Sequence, residues 1–222
     1  MEEITKQELT EKEKWWFLKY IEEECEVVFS AWKELMRLKK YASENKLDEE
    51  GQRECSSRIW RCISEFLLAH ANISKTLDSN QNLKKNTFKH ELDFWEPGKS
   101  DVEKEELFNK LREEREVRVK TLKKMLSSVL DGQKLGRSPR NYLEHFDAFL
   151  QLFIIENGTK VKTHRSFGCP NEKELLEKNL SFFHCDKNEI WFLGKPIPME
   201  PIIGFIEKLN EGVKSELKKL EE

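Results

Sequence analysis

The stretch LKYIEEECEVVFSAWKEL, from Leu18 to Leu35, decides the fold class that this chain predicts. Its apolar side chains recur at intervals of three and four residues, at Leu18, Ile21, Cys25, Val28, Trp32 and Leu35. Only an α-helix brings side chains with this spacing onto one face. The pattern therefore predicts a long amphipathic helix from about Thr5 to Lys40.

The same periodicity predicts two further long helices. The second runs from about Glu50 to Leu77 and places His70 on its buried side, either as a hydrogen-bonded core histidine or as a functional one. The third runs from Asp101 to about Leu130, where Asp131-Gly132 supplies a stop. Its apolar stripe comprises Leu107, Leu111, Leu122, Met125 and Val129. Arg115 and Arg118 interrupt that stripe, so they either extend past the end of the core or point into a polar cleft.

The rest of the chain predicts one more core helix and a small C-terminal unit. Residues 79–100 lack a sustained period and contain Pro97-Gly98, which indicates a loop insertion. A fourth helix is expected from Ser138 to about Asn157. Beyond it, LSFFHC and EIWFLG read as a β-hairpin before a terminal helix. We expect a mainly α fold: a four-helix bundle over residues 1–157, and a hairpin with a helix over 158–222.

Composition excludes several classes of protein. Of 222 residues, 37% are hydrophobic and 36% charged, a balance that suits amphipathic helices with wide charged faces. There is no run of 18 apolar residues, and the N-terminus MEEITKQELTEKEKWW is acidic where a signal peptide would be basic and then apolar. A soluble, cytoplasmic protein without a membrane partner is expected. The net charge of -3 is not that of a dedicated nucleic-acid binder, so any such contact needs a local basic patch.

Metal and cofactor chemistry also find little support in the sequence. Five cysteines, an odd number without a C-x-x-C pair, predict reduced thiols. His164, Cys169, His184 and Cys185 are zinc-ligand types, but their spacing is not that of a zinc finger. The nine glycines are scattered and form no phosphate-binding loop. We therefore expect neither a metal nor a cofactor.

The segment GRSPRNYLEHFDAF, from Gly136 to Phe149, carries the candidate site. Pro139 at the first helical position puts Arg140 and Asn141 in the first turn, where unpaired N–H groups and the helix dipole favour an anion. Asn141 and His145 stand four residues apart, on one face of the helix. A phosphate could therefore be held here, although the alternative is an ordinary ion pair between Arg140 and its i+4 neighbour, Glu144.

These residue types suit RNA cleavage without a metal, in which the ribose 2′-hydroxyl attacks the adjacent phosphate. Histidine transfers protons near neutral pH, and arginine stabilises the charge that builds on the phosphorus oxygens. The reaction needs both a base and an acid, whereas one chain offers a single motif histidine. A complete site is easier to build when two copies of the fourth helix meet in a homodimer.

The segment RNYLEH, Arg140 to His145, resembles the R-N-x-x-x-H motif of the HEPN superfamily, helical domains named for higher eukaryotes and prokaryotes nucleotide-binding. RNYLEHFDAF, IWRCISEFLLAHANISKTL (Ile59 to Leu77) and the tail from FHCDKNEIWFLG onward are similar to toxin-type and abortive-infection members. The resemblance implies an antiparallel bundle that dimerises around the motif helices and cleaves RNA as a metal-independent endoribonuclease. By it, Arg140 and His145 are catalytic, and Asn141 orients or polarises the site.

The resemblance also implies partners. Many toxin-type members are paired with an antitoxin, often a minimal nucleotidyltransferase, and some are modified on a tyrosine two positions after the motif histidine. Asp147 occupies that position here, which puts such control in doubt. The candidate substrate-binding residues are Arg137, Glu144, Arg115 and Arg118. A non-catalytic HEPN module that binds a nucleotide or a protein is the alternative, and the acidic net charge favours it slightly.

Overall fold

The computed structural model describes residues 8–77, 98–131, 166–168, 181–192 and 195–222. Its helices are α1 (Glu11–Glu44), α2 (Glu49–Leu77), α3 (Asp101–Met125), the single turn α4 (Ser127–Leu130) and α5 (Glu200–Glu221). Its strands are β1 (Ser166–Gly168), β2 (Ser181–His184), β3 (Glu189–Phe192) and β4 (Lys195–Pro198). The predicted mainly helical class, with a small group of strands and a terminal helix near the C-terminus, is confirmed within these ranges.

Helix α1 begins at a capping box rather than at Thr5. The Thr10 hydroxyl accepts a hydrogen bond from the Glu13 N–H at 3.3 Å, and the Glu13 carboxylate accepts one from the Thr10 N–H at 2.8 Å. These bonds satisfy donors that the first turn leaves unpaired. The buried stripe follows the predicted spacing except at one position, where Ala31 is buried instead of Trp32. Trp32 lies at the edge of the core, with its ring tilted against that of Phe66.

Helix α2 packs antiparallel to α1 along most of its length. Arg58 donates a hydrogen bond to Glu34 at 2.9 Å, and Asn72 donates one to Glu24 at 3.0 Å. Its C-terminal half is buried on more than half of its circumference, because both flanks of the predicted stripe are covered as well. In that half the predicted stripe consists of Ile63, Phe66, His70, Ile73 and Leu77. The buried residues outside it are Leu67, Ala69, Ala71, Ser74 and Thr76.

Helix α3 differs from the prediction in two respects. It ends at Met125, and the single turn of α4 follows after Leu126, so the predicted continuous helix to Leu130 is broken. Its buried face is rotated by about one residue, since Phe108 is buried whereas Leu107 is half-buried and Leu111 is 36% exposed. The spacing of the leucines indicates a helix. Which row of side chains along that helix becomes buried is decided by tertiary packing, not by the spacing.

The predicted hairpin is confirmed as β2 and β3, which pair antiparallel around a turn over residues 185–188. Asn188 has a φ of 50°, in the left-handed region that asparagine tolerates in turns. Two strands were not predicted: β1 pairs parallel with β2, and β4 pairs antiparallel with β3. Both are edge strands of three or four residues, and prolines at 196 and 198 give β4 a pattern that argues against a strand.

Helix α5 packs along α1 and shares its hydrophobic core. Its inward side chains Ile206, Leu209 and Val213 join the cluster formed by α1 and α2, together with Phe183 and Ile190 of the sheet. Lys214 contributes a hydrogen bond to Glu26 at 3.3 Å. The predicted boundary at residue 157, the fourth helix and most of the loop at 79–100 lie outside the described residues.

Replacing Gly212 by alanine is expected to destabilise the protein. A Cβ atom built at Gly212 lies 2.7 Å from Cγ2 of Val129, so α4 can approach α5 only because this position has no side chain. Overpacking of this kind costs about 1–3 kcal/mol, against the gain of about 1 kcal/mol that alanine brings to a helix interior. Urea denaturation measures the free energy of unfolding.

Gly204 of the same helix provides the matched control. No heavy atom among the described residues comes within 4 Å of a Cβ built there, so Gly204→Ala is expected to stabilise the protein by up to about 1 kcal/mol. Adding Val129→Ala should relieve the clash at Gly212. Equal stabilisation by both alanines would show that α4 does not pack on α5 in this way.

Candidate functional site

The residues predicted to perform catalysis lie outside the described part of the chain. Arg140, Asn141 and His145 belong to the range 132–165, as do the candidate substrate-binding residues Arg137 and Glu144. Their roles stay predictions. The two remaining candidates, Arg115 and Arg118, are on α3 and can be placed.

Both α3 arginines are half-buried, in the interval of the helix between Phe108 and Leu122. The guanidinium of Arg118 lies over the ring of Phe17 of α1, 5.1 Å from its centroid. Stacking on an aromatic face stabilises a guanidinium and holds its plane in place. Phe17 is the residue that sequence reasoning missed, and the run Trp15-Trp16-Phe17 beside the predicted core stripe was the available signal.

Arg118 carries a charge that no side chain of the described residues neutralises. Its Nε atom is buried without a hydrogen-bond acceptor, and no carboxylate of the described residues lies within ion-pair distance of its guanidinium. Burial lowers the pKa of Arg118, and the neighbouring charge of Arg115 lowers it further. Both effects disfavour the cation, so an anion that reached this position would be bound favourably.

The charge of α3 around these residues is positive. From Arg112 to Lys124 the helix carries six basic residues and three acidic ones. Lys124 at the end of this segment pairs with Glu8 at 3.0 Å. The segment is a local basic patch of the kind that an overall acidic protein needs for contact with a phosphate backbone.

Next to Arg118, α1 presents a surface that we call the aromatic patch, formed by Trp16, Phe17 and Tyr20. The side chains of Trp16 and Tyr20 are 59% and 40% exposed. Trp15 packs against the core and meets the ring of Trp16 edge-on, with 5.0 Å between centroids. Of the two tryptophans at the start of α1, one therefore covers the core and the other is offered to solvent.

His70 lies on the buried side of α2, as predicted, and is 2% exposed. Burial lowers its pKa to about 4, so the imidazole is neutral at pH 7. Its Nδ1 atom has no hydrogen-bond partner among the described residues, and neither has the hydroxyl of Ser74, one turn further along the same face. Burial of His70 is thus confirmed, whereas the choice between a hydrogen-bonded core histidine and a functional one stays open.

The described residues contain no group of three or more histidine, cysteine, aspartate or glutamate side chains arranged to hold a metal ion. His184 is buried in β2, whereas His164 and Cys169 lie outside the described ranges. Among the helices that the structure describes, none is both long enough and apolar enough to cross a membrane.

Comparison of the chain with protein-family models, with curated proteins and with solved structures finds no match.

Proposed function

We propose that the protein is a metal-independent endoribonuclease of the toxin or phage-defence type, built as a HEPN-like antiparallel bundle and active as a cytoplasmic homodimer. The observation that carries the proposal is the segment RNYLEH, in which an arginine, an asparagine and a histidine follow a predicted helix start at Ser138-Pro139. Arg118 supports it, because its guanidinium has no carboxylate partner among the described residues and a phosphate of RNA would supply an anion.

In the proposed reaction the ribose 2′-oxygen attacks the adjacent phosphorus while the bond from phosphorus to the 5′-oxygen breaks. One His145 accepts the proton of the 2′-hydroxyl, and the His145 of a second copy donates a proton to the departing 5′-oxygen. Arg140 stabilises the charge on the phosphorus oxygens, and Asn141 orients the phosphate. The products are a 2′,3′-cyclic phosphate and a 5′-hydroxyl.

Four further residues are proposed to hold the substrate. Arg137 precedes the motif and Glu144 lies within it, and Arg115 and Arg118 belong to the basic patch of α3. An antitoxin, for which a minimal nucleotidyltransferase is the proposed type, would block the same site. Because Asp147 stands where some relatives of this type carry a modified tyrosine, the proposed control acts by binding rather than by modification at this residue.

The purified protein is expected to cleave total RNA equally well with and without EDTA, since no step needs a metal ion. End-group analysis of the fragments should find 2′,3′-cyclic phosphates. Arg53→Ala, an exposed arginine of α2 that faces Glu49 at 3.6 Å, serves as the control beside Arg140→Ala. Loss of cleavage in EDTA would contradict the mechanism, and salt-sensitive RNA binding without cleavage would favour the non-catalytic module.

A further inference from the structure

The three side chains of the aromatic patch are direct neighbours on the surface of α1. Trp16 and Tyr20 are four residues apart and Phe17 and Tyr20 three apart, which brings their Cβ atoms to within about 5–6 Å. Two of the three rings face solvent, and Arg118 covers the third. The two exposed aromatic side chains are therefore neighbours, on the same helix, of the residue on which the Arg118 guanidinium stacks.

A single-stranded nucleic acid offers the complement to both features. Its unpaired bases stack on aromatic rings, and each nucleotide brings a phosphate that accepts hydrogen bonds from arginine. A double helix keeps its base faces stacked inside, so it can use the arginine but not the rings. We propose that Trp16, Tyr20 and Arg118 form a track for single-stranded RNA, with bases stacked on the two rings and a phosphate on the guanidinium.

The charges around the patch determine where the track runs. The basic excess of α3 lies on the Phe17 side, whereas Glu22, Glu23 and Glu24 follow Tyr20 along α1. Partial burial, followed by the hydrogen bond to Glu24 and the charge of that carboxylate, raises the pKa of Tyr20 to about 12. Phosphates are therefore attracted toward α3 and repelled from the middle of α1, so the RNA leaves the patch across Arg118.

The inference rests on the proposed function in one respect, namely that RNA is the ligand. It adds the class of substrate: unpaired RNA is bound and paired RNA is not. The test uses a single-stranded oligonucleotide with 2′-O-methyl groups, which the proposed reaction cannot cleave, so that binding and cleavage are measured separately.

Fluorescence anisotropy measures the affinity of the protein for this oligonucleotide. Trp16→Ala and Tyr20→Ala are each expected to weaken binding roughly 5- to 150-fold, the range for loss of one stacked base, while Trp16→Phe retains most of the affinity. Tyr41→Ala is the matched control, because Tyr41 lies near the other end of the same helix and is 49% exposed. Duplex RNA should bind weakly and be insensitive to Trp16.

Arg118 is tested by the salt dependence of the same affinity. Losing one phosphate contact to a single strand lowers the slope of log affinity against log salt by about 0.7. Arg118→Ala should show this reduction, and Arg53→Ala should not. Circular dichroism and thermal unfolding verify that each variant is folded.

Unchanged affinity of folded Trp16→Ala and Tyr20→Ala would overturn the inference, as would a change of oligomeric state in these variants without a loss of RNA binding. The latter result would assign the patch to contact with a second copy. Cleavage that proceeds normally in Trp16→Ala leaves the proposed function standing and removes the track. If the wild-type protein binds RNA through Trp16 but cleaves none, the track stands and the proposed function is contradicted.

Discussion

Replacing His145 by alanine is expected to lower the rate of RNA cleavage by a factor of at least about 100, since a positioned general acid or base contributes about 10²–10⁴. A homodimer of the proposed kind would lose both the proton acceptor and the proton donor at once. The rate is measured on total RNA and on a defined single strand, with EDTA present. His90→Ala, the same substitution in the predicted loop at 79–100, is the matched control and should cleave at the wild-type rate.

Mixed dimers test whether the two histidines act in one site. Wild-type and His145→Ala chains are unfolded, mixed in known ratios and refolded together. If one site needs His145 from both chains, the cleavage rate is proportional to the square of the fraction of wild-type chains. If each chain has its own site, the rate is proportional to that fraction itself. Full activity of the pure His145→Ala protein, folded and dimeric, would contradict the proposed role of the motif.

The second large effect is a loss of stability at mildly acidic pH that originates at His70. Its pKa is about 4 in the folded protein and near 6.5 when the side chain is exposed in the unfolded chain. Above pH 6.5 both states are neutral and the full stability is present. As the pH falls toward 4, only the unfolded state takes up the proton, so stability is lost by up to about 3 kcal/mol.

Urea denaturation at pH 7.5 and at pH 4.5 measures this loss. His70→Leu removes the titrating group and fills a similar volume, so its stability should fall less between the two pH values than that of the wild type. Comparing the pH-induced change within each protein cancels any difference in packing. Glu34, whose pKa the Arg37 hydrogen bond lowers to about 2, contributes stability that is lost only as the pH falls below about 4.5.

An equal pH-induced loss in both proteins would show that His70 is exposed or finds a hydrogen-bond partner when protonated. Ser74 is the candidate hydrogen-bond acceptor for protonated His70. Its hydroxyl has no partner among the described residues and lies on the same face of α2, one turn away. A Ser74→Ala variant should then show a larger loss than the wild type.

The elements that were predicted correctly are those with a strong local pattern. Helix α2 was expected from Glu50 to Leu77 and spans Glu49–Leu77, because its apolar spacing extends without interruption to its last residue. The hairpin of β2 and β3 follows from two short apolar runs around a turn. The burial of His70 was also predicted correctly, because helical geometry places this residue on the same face as the apolar stripe.

Errors occurred where contacts between distant residues decide the outcome. The rotation of the buried face of α3 appears as burial of Phe108 in place of Leu107 and Leu111, which the spacing of leucines does not predict. The pairing of β1 with β2 joins segments separated by a dozen residues or more. For the candidate site, the placement of Arg118 over Phe17 brings together positions 101 residues apart in the chain.

The sequence by itself determined that this protein is mainly helical and where α2 lies, and it gave the approximate position of α1; the phosphate-binding role of the segment after Ser138-Pro139 stays a prediction. Periodicity and helix-start signals are local, so a single chain displays them without reference to its partners in the fold. Only the tertiary structure decided that Arg118 stacks on Phe17 beside two exposed aromatic side chains, with no carboxylate of the described residues within ion-pair distance. Such a site arises from burial and proximity across helices, and these are settled when the whole core packs together.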